Sequence, residues 1–250
     1  SVLCVGLDPE FGQLPESAKK AANPIWEFNK AIIESTAEFA CAYKPNLAFY
    51  LADRIRGLDA LYKTVEFIPE NIPVILDAKI GDIGNTMNAY ISAFFADLKV
   101  DAITINPLMG SDVMQPVQER NAFAFVLCLT SNPSAADFLK EGMAEKIANW
   151  LQNYPQENFG AVVGATYSAN LKTMRNLLQN RILLIPGIGA QGGDLKTVLQ
   201  EAKDSFATPN ILVNSSRGII FASRGKDFAS AARKEARRLT REMKNALSQE

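Results

Sequence analysis

Apolar residues in this chain fall into short runs separated by longer stretches in which they recur every three or four positions. Eight runs read as strands: Val2–Asp8, Ala40–Asn46, Val74–Lys79, Ala102–Asn106, Phe123–Thr130, Phe159–Ala165, Arg181–Pro186 and Ile211–Ser215. The stretches between them carry helical spacing, among them Pro24–Glu38, Ala48–Val65, Thr86–Leu98, Met143–Asn153, Ser168–Leu178, Leu195–Ala202 and Lys226–Leu247. Strands alternating with helices, with no long linker or low-complexity segment, predict an α/β fold, a (β/α)8 TIM barrel forming a single domain over residues 1–250. An open doubly wound sheet is the alternative. Against it, the first strand ends Gly6-Leu7-Asp8-Pro9 and no G-x-G-x-x-G follows.

Composition narrows the function classes. The 250 residues are 48% hydrophobic, enough for one large core, and 26 basic against 27 acidic residues leave a formal net charge of -1. No global field recruits nucleic acid or an anionic membrane, so neither is expected as a partner and a small molecule is. The basic residues Arg233, Lys234, Arg237, Arg238 and Arg241 of the last helix read as a solvated face balanced by Glu235 and Glu242. No apolar run is long enough to span a bilayer and no charged-then-apolar leader opens the chain. The start at Ser1 instead of Met is read as a few missing residues. Cys4, Cys41 and Cys128 lie in apolar runs and are odd in number, which predicts buried thiols in a reducing cytoplasm. The chain has no histidine, which excludes Ser-His-Asp and Cys-His catalysis, His-ligated zinc and imidazole proton shuttles. Lysines and carboxylates must carry any acid–base work.

Such residues gather at the C-terminal ends of the predicted strands, where a barrel keeps its chemistry. Asp77-Ala78-Lys79-Ile80-Gly81-Asp82 follows directly on Ile72-Pro73-Val74-Ile75-Leu76. Side chains two apart in a strand share a face, so Asp77 and Lys79 are expected to point together, with Gly81 turning the chain and carrying Asp82 back towards them. Burying these ions costs several kcal/mol each unless they pair; a structural ion pair at a strand end is the alternative reading. Asp8 closes strand one, and Lys44 and Asn46 close strand two on one face. Asn46 and Asn106 read as first loop residues, whereas two acids and two lysines from three consecutive strands are expected to converge on one mouth.

A second constellation joins Pro186-Gly187-Ile188-Gly189-Ala190-Gln191-Gly192-Gly193-Asp194 after strand seven to Asn214-Ser215-Ser216-Arg217-Gly218 after strand eight. Glycines such as Gly189 and Gly218 let backbone N–H groups approach an anion, and these two loops are the usual phosphate site of the fold. Arg217 can add a bidentate contact and Gln191 a neutral donor. A Gly-rich turn beside a surface arginine is the plainer reading. A phosphorylated substrate, and a cationic Lys79 set between carboxylates, suit proton delivery to a carbanion left by a departing carboxylate.

With these segments in place the chain resembles the orotidine 5'-monophosphate decarboxylases, in their bacterial subgroup with longer loops. The family's D-x-K-x-x-D appears as Asp77, Lys79 and Asp82 within DAKIGDIGNT, accompanied in order by CVGLDP, AYKPN, PGIGAQGGD and SSRGI; TSNPSAADF and VVGATY also fit. The resemblance implies decarboxylation of orotidine 5'-monophosphate to uridine 5'-monophosphate (UMP) in pyrimidine biosynthesis, with no cofactor and no metal. It implies that Lys79 protonates the C6 carbanion, Asp77 lies against the substrate carboxylate, and Asp8 and Lys44 hold the ribose hydroxyls. Arg217 and Gln191 would bind phosphate, and Ser131, in Thr130-Ser131-Asn132-Pro133, the pyrimidine. Asp82 and Thr86 would reach the neighbouring subunit's site, making a homodimer with shared active sites. Sugar-phosphate lyases and decarboxylases of the same superfamily share D-x-K-x-x-D and the phosphate loops but use Mg²⁺. They place an acidic metal ligand on strand two, where this chain has Lys44, a cation that would repel the ion.

Overall fold

Each apolar run becomes a strand, because residues buried on both faces of a parallel sheet need no polar alternation. The structure, a computed structural model, describes residues 1–139, 142–165, 168–187, 195–203 and 209–248. The strands are β1 (Leu3–Leu7), β2 (Ala42–Pro45), β3 (Ile75–Ile80), β4 (Ala102–Ile105), β5 (Phe123–Leu129), β6 (Phe159–Val163), β7 (Leu183–Ile185) and β8 (Ile211–Ser215). All pair in parallel in the order β2-β1-β8-β7-β6-β5-β4-β3. Bridges Tyr43↔Val74 and Asn46↔Asp77 join the two ends, so the sheet closes on itself. After the strands come α1 (Pro24–Thr36), α2 (Arg54–Phe67), α3 (Gly84–Ile91), α4 (Ser111–Glu119), α5 (Met143–Leu151), α6 (Ser168–Leu178), α7 (Leu195–Ala202) and α8 (Phe228–Leu247). The barrel expectation holds.

Three local features depart from the sequence reading. No helical pattern stands out between β4 and β5, yet α4 forms there with Pro116 inside it; its Val113, Met114 and Val117 are buried, so packing outweighs the lost N–H. The predicted helix Ala48–Val65 is broken into a short turn, Leu47–Leu51, and α2, with Arg54 at φ 56° between them. Tyr50 causes the break. Fully buried, it donates to the Leu7 carbonyl at 3.2 Å and accepts from Asn29 at 2.9 Å, and its own carbonyl lies where a Cβ on Gly57 would stand. Finally, α3 widens into a π-helical turn over Ser92–Asp97 instead of running regularly to Leu98.

Two apolar layers result. Cys4, Ala42, Ile75, Ala102, Phe125, Val162 and Leu184 form a cluster inside the barrel, while the larger core lies between sheet and helices. Stepping two residues along β1 to β4 from Cys4, Ala42, Ile75 and Ala102 reaches Gly6, Lys44, Asp77 and Thr104. The interior therefore changes from apolar to charged within one layer. Among the described residues no helix is long and apolar enough to cross a membrane. Cys4 and Cys128 are buried as expected; Cys41, just before β2, is only half-buried and its thiol donates to the Leu3 carbonyl at 3.2 Å. On α8, Arg238 pairs with Glu235 and Glu242 as the sequence reading anticipates, and Arg233 pairs with Glu38.

Candidate active site

Asp77 is the hub of the barrel mouth. Its Oδ2 accepts from Lys44 Nζ at 2.7 Å and from Asn46 Nδ2 at 3.4 Å; its Oδ1 accepts from Lys79 Nζ at 2.5 Å and from the Thr104 hydroxyl at 2.9 Å. Burial pushes the Asp77 carboxyl up, but the charges of Lys44 and Lys79 outweigh it and hold the group well below the usual carboxylate range. Burial likewise disfavours the Lys44 ammonium, and the facing charges of Asp77 and then Asp8 more than reverse this, leaving Lys44 above its ordinary value. The two lysines differ in access. The Lys44 side chain is 5% exposed and that of Lys79 is 47% exposed.

Asp77 and Lys79 do meet, but not along a regular strand. β3 pairs Leu76 with Ile103 and Ile80 with Ile105, so three β3 residues stand opposite Thr104, and Lys79 takes φ 49°. This bulge aims the Lys79 ammonium at the carboxylate two residues earlier. Gly81 does not act by turning the chain. It allows close packing, since a Cβ there would lie 2.7 Å from the Asn106 carbonyl oxygen. Nor is Asp82 carried back to the cluster; it is half-exposed and accepts from the Ile83 N–H at 2.8 Å. Thr86 is exposed in the first turn of α3. Neither Asp82 nor Thr86 lines the mouth of its own chain among the described residues.

Two adjoining cavities share Lys44, Asp77, Ser131 and Pro186. One, about 310 Å³, is polar and bordered by Asp8, Asn46, Asn214, Ser216, Arg217 and Gly218. The other, about 300 Å³, is flanked by Lys79 and Thr104 and walled by Leu127, Val162 and Leu184. Ser131 borders both, whereas the neighbouring Thr130 hydroxyl donates to Asn132 Oδ1 at 2.7 Å. In the polar cavity Asp8 Oδ1, Asn214 Oδ1 and Ser216 Oγ are enclosed and have no hydrogen-bond partner among the described residues. Arg217 and Gly218 sit exposed in the turn that follows β8. Gly189 and Gln191 lie outside the described residues.

Sequence reasoning missed Thr104 and underrated Asn46. Asn46 is an N-cap, as a first loop residue would be, accepting from the Ala48 N–H at 3.1 Å, but its amide also reaches Asp77. Asn106 behaves as expected, capping the turn Pro107–Met109 through the Leu108 N–H. Thr104 sits in Ala102-Ile103-Thr104-Ile105, where a threonine reads as an ordinary strand former; its position two residues past Ala102 was the available signal.

The family described as Orotidine 5'-phosphate decarboxylase / HUMPS family matches residues 1–234. Orotidine 5'-phosphate decarboxylase of Herpetosiphon aurantiacus is 47% identical over 250 residues, covering 94% of this chain and 90% of that protein. Among solved structures, OMP decarboxylase of Leishmania donovani has a TM-score of 0.83 at 36% identity, over 99% of this chain and 94% of that one. UMP synthase of the same organism has a TM-score of 0.85 at 38% identity and covers 99% of this chain, which spans only 54% of its length. A match over nearly the whole chain, together with a barrel whose mouth gathers Asp77 and Lys79 of the D-x-K-x-x-D segment, places this chain in the orotidine 5'-phosphate decarboxylase / HUMPS family.

Proposed function

We propose that this enzyme decarboxylates orotidine 5'-monophosphate to UMP, for pyrimidine biosynthesis, by protonation from Lys79 and without a cofactor. The observation that carries the assignment is the contrast between the two lysines on Asp77. Both are ion-paired to it, but only Lys79 is open enough to take a proton back from solvent after each turnover. In the step itself the C6–carboxylate bond breaks, CO₂ leaves, the electron pair stays on C6, and Lys79 Nζ delivers the proton that completes UMP. Asp77 lies against the departing carboxylate. At ~4 Å and an effective dielectric of ~20 one cation stabilises a carbanion by ~4 kcal/mol, about three decades of rate. The remainder comes from the preorganised charges around Asp77 and from positioning.

The rest of the substrate follows the two cavities. Asp8 and Lys44 hold the ribose hydroxyls, consistent with the enclosed, unpartnered Asp8 Oδ1; Ser131 meets the pyrimidine at the junction, and Arg217 with Gly218 faces the phosphate, joined by Gln191 and Gly189. The Lys44 ammonium, 2.7 Å from Asp77, fills the place where a Mg²⁺-dependent relative would need a cation, which favours the metal-free reading. The enzyme works as one unit over residues 1–250, in the cytoplasm, where three free thiols fit a reducing compartment. It is a homodimer in which Asp82 and Thr86 enter the partner's site. Exposed Ile83, Tyr90, Leu108 and Met109 on the neighbouring loops and α3 supply an apolar surface for that contact.

The direct test follows orotidine 5'-monophosphate loss by ultraviolet absorbance with purified, EDTA-treated protein. Undiminished turnover is expected; none would overturn the proposal, and restoration by Mg²⁺ alone would favour the lyase reading. For the shared site, Lys79→Ala and Asp82→Ala are unfolded together and refolded at equal ratio. Random pairing makes about half the dimers hybrid, each with one wild-type site, so about a quarter of wild-type activity returns. No return with confirmed hybrids defeats the shared site.

A further inference from the structure

Thr104 stands opposite three residues of the neighbouring strand. Between the pairs Leu76↔Ile103 and Ile80↔Ile105, β3 runs through Asp77, Ala78 and Lys79 while β4 supplies Thr104 alone. A bulge of this kind disrupts the local ladder, and Lys79 also adopts a left-handed backbone, φ 49°, that a side-chain-bearing residue holds only when its surroundings fix it. The Lys79 N–H that the bulge frees donates to Thr104 Oγ1 at 2.9 Å. The same hydroxyl lies 2.9 Å from Asp77 Oδ1. An N–H can only donate and an ionised carboxylate can only accept, so the single hydroxyl proton must point at Asp77. Thr104 is 1% exposed, and its own backbone is registered against Phe125 of β5. One buried hydroxyl thus ties the backbone of the proposed proton donor to the carboxylate that the donor faces.

We infer that Thr104 is a positioning residue for the decarboxylation, its hydroxyl fixing both the bulged Lys79 backbone and the rotamer of Asp77. The inference rests on the proposed roles of Lys79 and Asp77. It explains why β3 can leave regular strand geometry at the point where the charges must be placed most accurately. The hydroxyl proton is committed to Asp77, so Thr104 shapes the array without donating to the ligand.

The test compares Thr104→Val, which keeps the shape and removes the hydroxyl, with Thr104→Ser, which keeps the hydroxyl. A misplaced donor costs on the order of 10²-fold in rate. Thr104→Val is therefore expected to lower kcat by about 10- to 100-fold, with UMP affinity, read by titration calorimetry, within about threefold of wild type. Thr104→Ser should restore kcat to within about threefold. Thr104→Ala, which makes no steric demand, reads the same quantities should the valine variant fold poorly. Unchanged kcat in the valine and alanine variants, or a serine variant as slow as valine, overturns the inference. Loss of kcat and UMP binding in parallel also overturns it, since that marks general damage. A wild-type protein without turnover would instead strike the parent proposal, so the two failures are distinguishable.

Discussion

On the β2–β4 side of the barrel mouth, Asp77 accepts from Lys44 and Asn46 on one oxygen and from Lys79 and Thr104 on the other. On the β8–β1 side, Asp8 Oδ1, Asn214 Oδ1 and Ser216 Oγ are enclosed with no hydrogen-bond partner among the described residues. Leaving a buried polar atom unpaired costs about 1–3 kcal/mol, so the second side is the better matched to a polar ligand. The contrast fits the division of labour proposed above, with reaction on the first side and recognition on the second. Where charge must change during reaction, a fixed array reduces reorganisation; where a ligand is recognised, unmet hydrogen-bonding capacity becomes binding energy when it arrives.

The sharpest break of this comparison is Lys79→Ala. If the β2–β4 side acts in the transition state and the other side in binding, turnover should fall by about 10³-fold or more while UMP binding stays largely intact. Retention of more than about a tenth of wild-type kcat, a loss under ~1.4 kcal/mol, refutes the role.

Next in size is Asp77→Asn, which strands a buried Lys44 and should destabilise the fold by about 3–5 kcal/mol near neutral pH in urea titrations. The Asp77 carboxyl is held below its unfolded value, so its contribution is complete above roughly pH 4 and is lost as pH falls towards the folded value. The Lys44 ammonium is held above its unfolded value, so its contribution is complete below roughly pH 10 and is lost as pH rises through the folded value. In Asp77→Asn burial disfavours the Lys44 ammonium with only Asp8 left to oppose it, so the variant is penalised most at low pH and its gap to wild type should narrow as pH rises from about 5 to about 9. A gap that widens over that range contradicts the picture of a pre-formed pair.

Arg217→Ala probes the binding side. Loss of a charge-assisted phosphate contact should raise KM by about 10- to 100-fold and lower kcat less. Orotidine, which lacks the phosphate, is the discriminating substrate: equal impairment with nucleoside and nucleotide means that Arg217 does not read the phosphate.

The smallest effects come from two glycines. A Cβ on Gly81 would meet the Asn106 carbonyl at 2.7 Å, whereas one on Gly218 has its nearest neighbour, Ser215 Oγ, at 3.8 Å. Gly81→Ala should cost about 1–3 kcal/mol of stability and Gly218→Ala less than about 0.5 kcal/mol. Equal thermal shifts would mean that the two sides of the mouth are packed alike.

Much of this is legible in the sequence alone. The eight strands, their alternation with helices, and the shared face of Lys44 and Asn46 follow from runs and periods that the backbone imposes locally. α4 tolerates Pro116 because its neighbours Val113, Met114 and Val117 are buried, a compensation that only packing reveals. The break after Tyr50 was hidden because it serves contacts with Leu7 and Asn29, distant in sequence. Asp82 was expected beside Lys79 because a glycine suggested a turn, whereas Gly81 serves the approach of Asn106.

The sequence by itself determined which residues carry charge, which strand ends they occupy and, on a regular strand such as β2, which way alternate side chains face, because a period of two is a property of the extended chain; at the bulge of β3 that period fails. Only the tertiary structure decided that Lys44, 33 residues away, shares Asp77 with Lys79, and that Thr104 closes the bulge between them. Those outcomes depend on the register of neighbouring strands, which is set by packing across the whole barrel, so no local pattern in the chain encodes them.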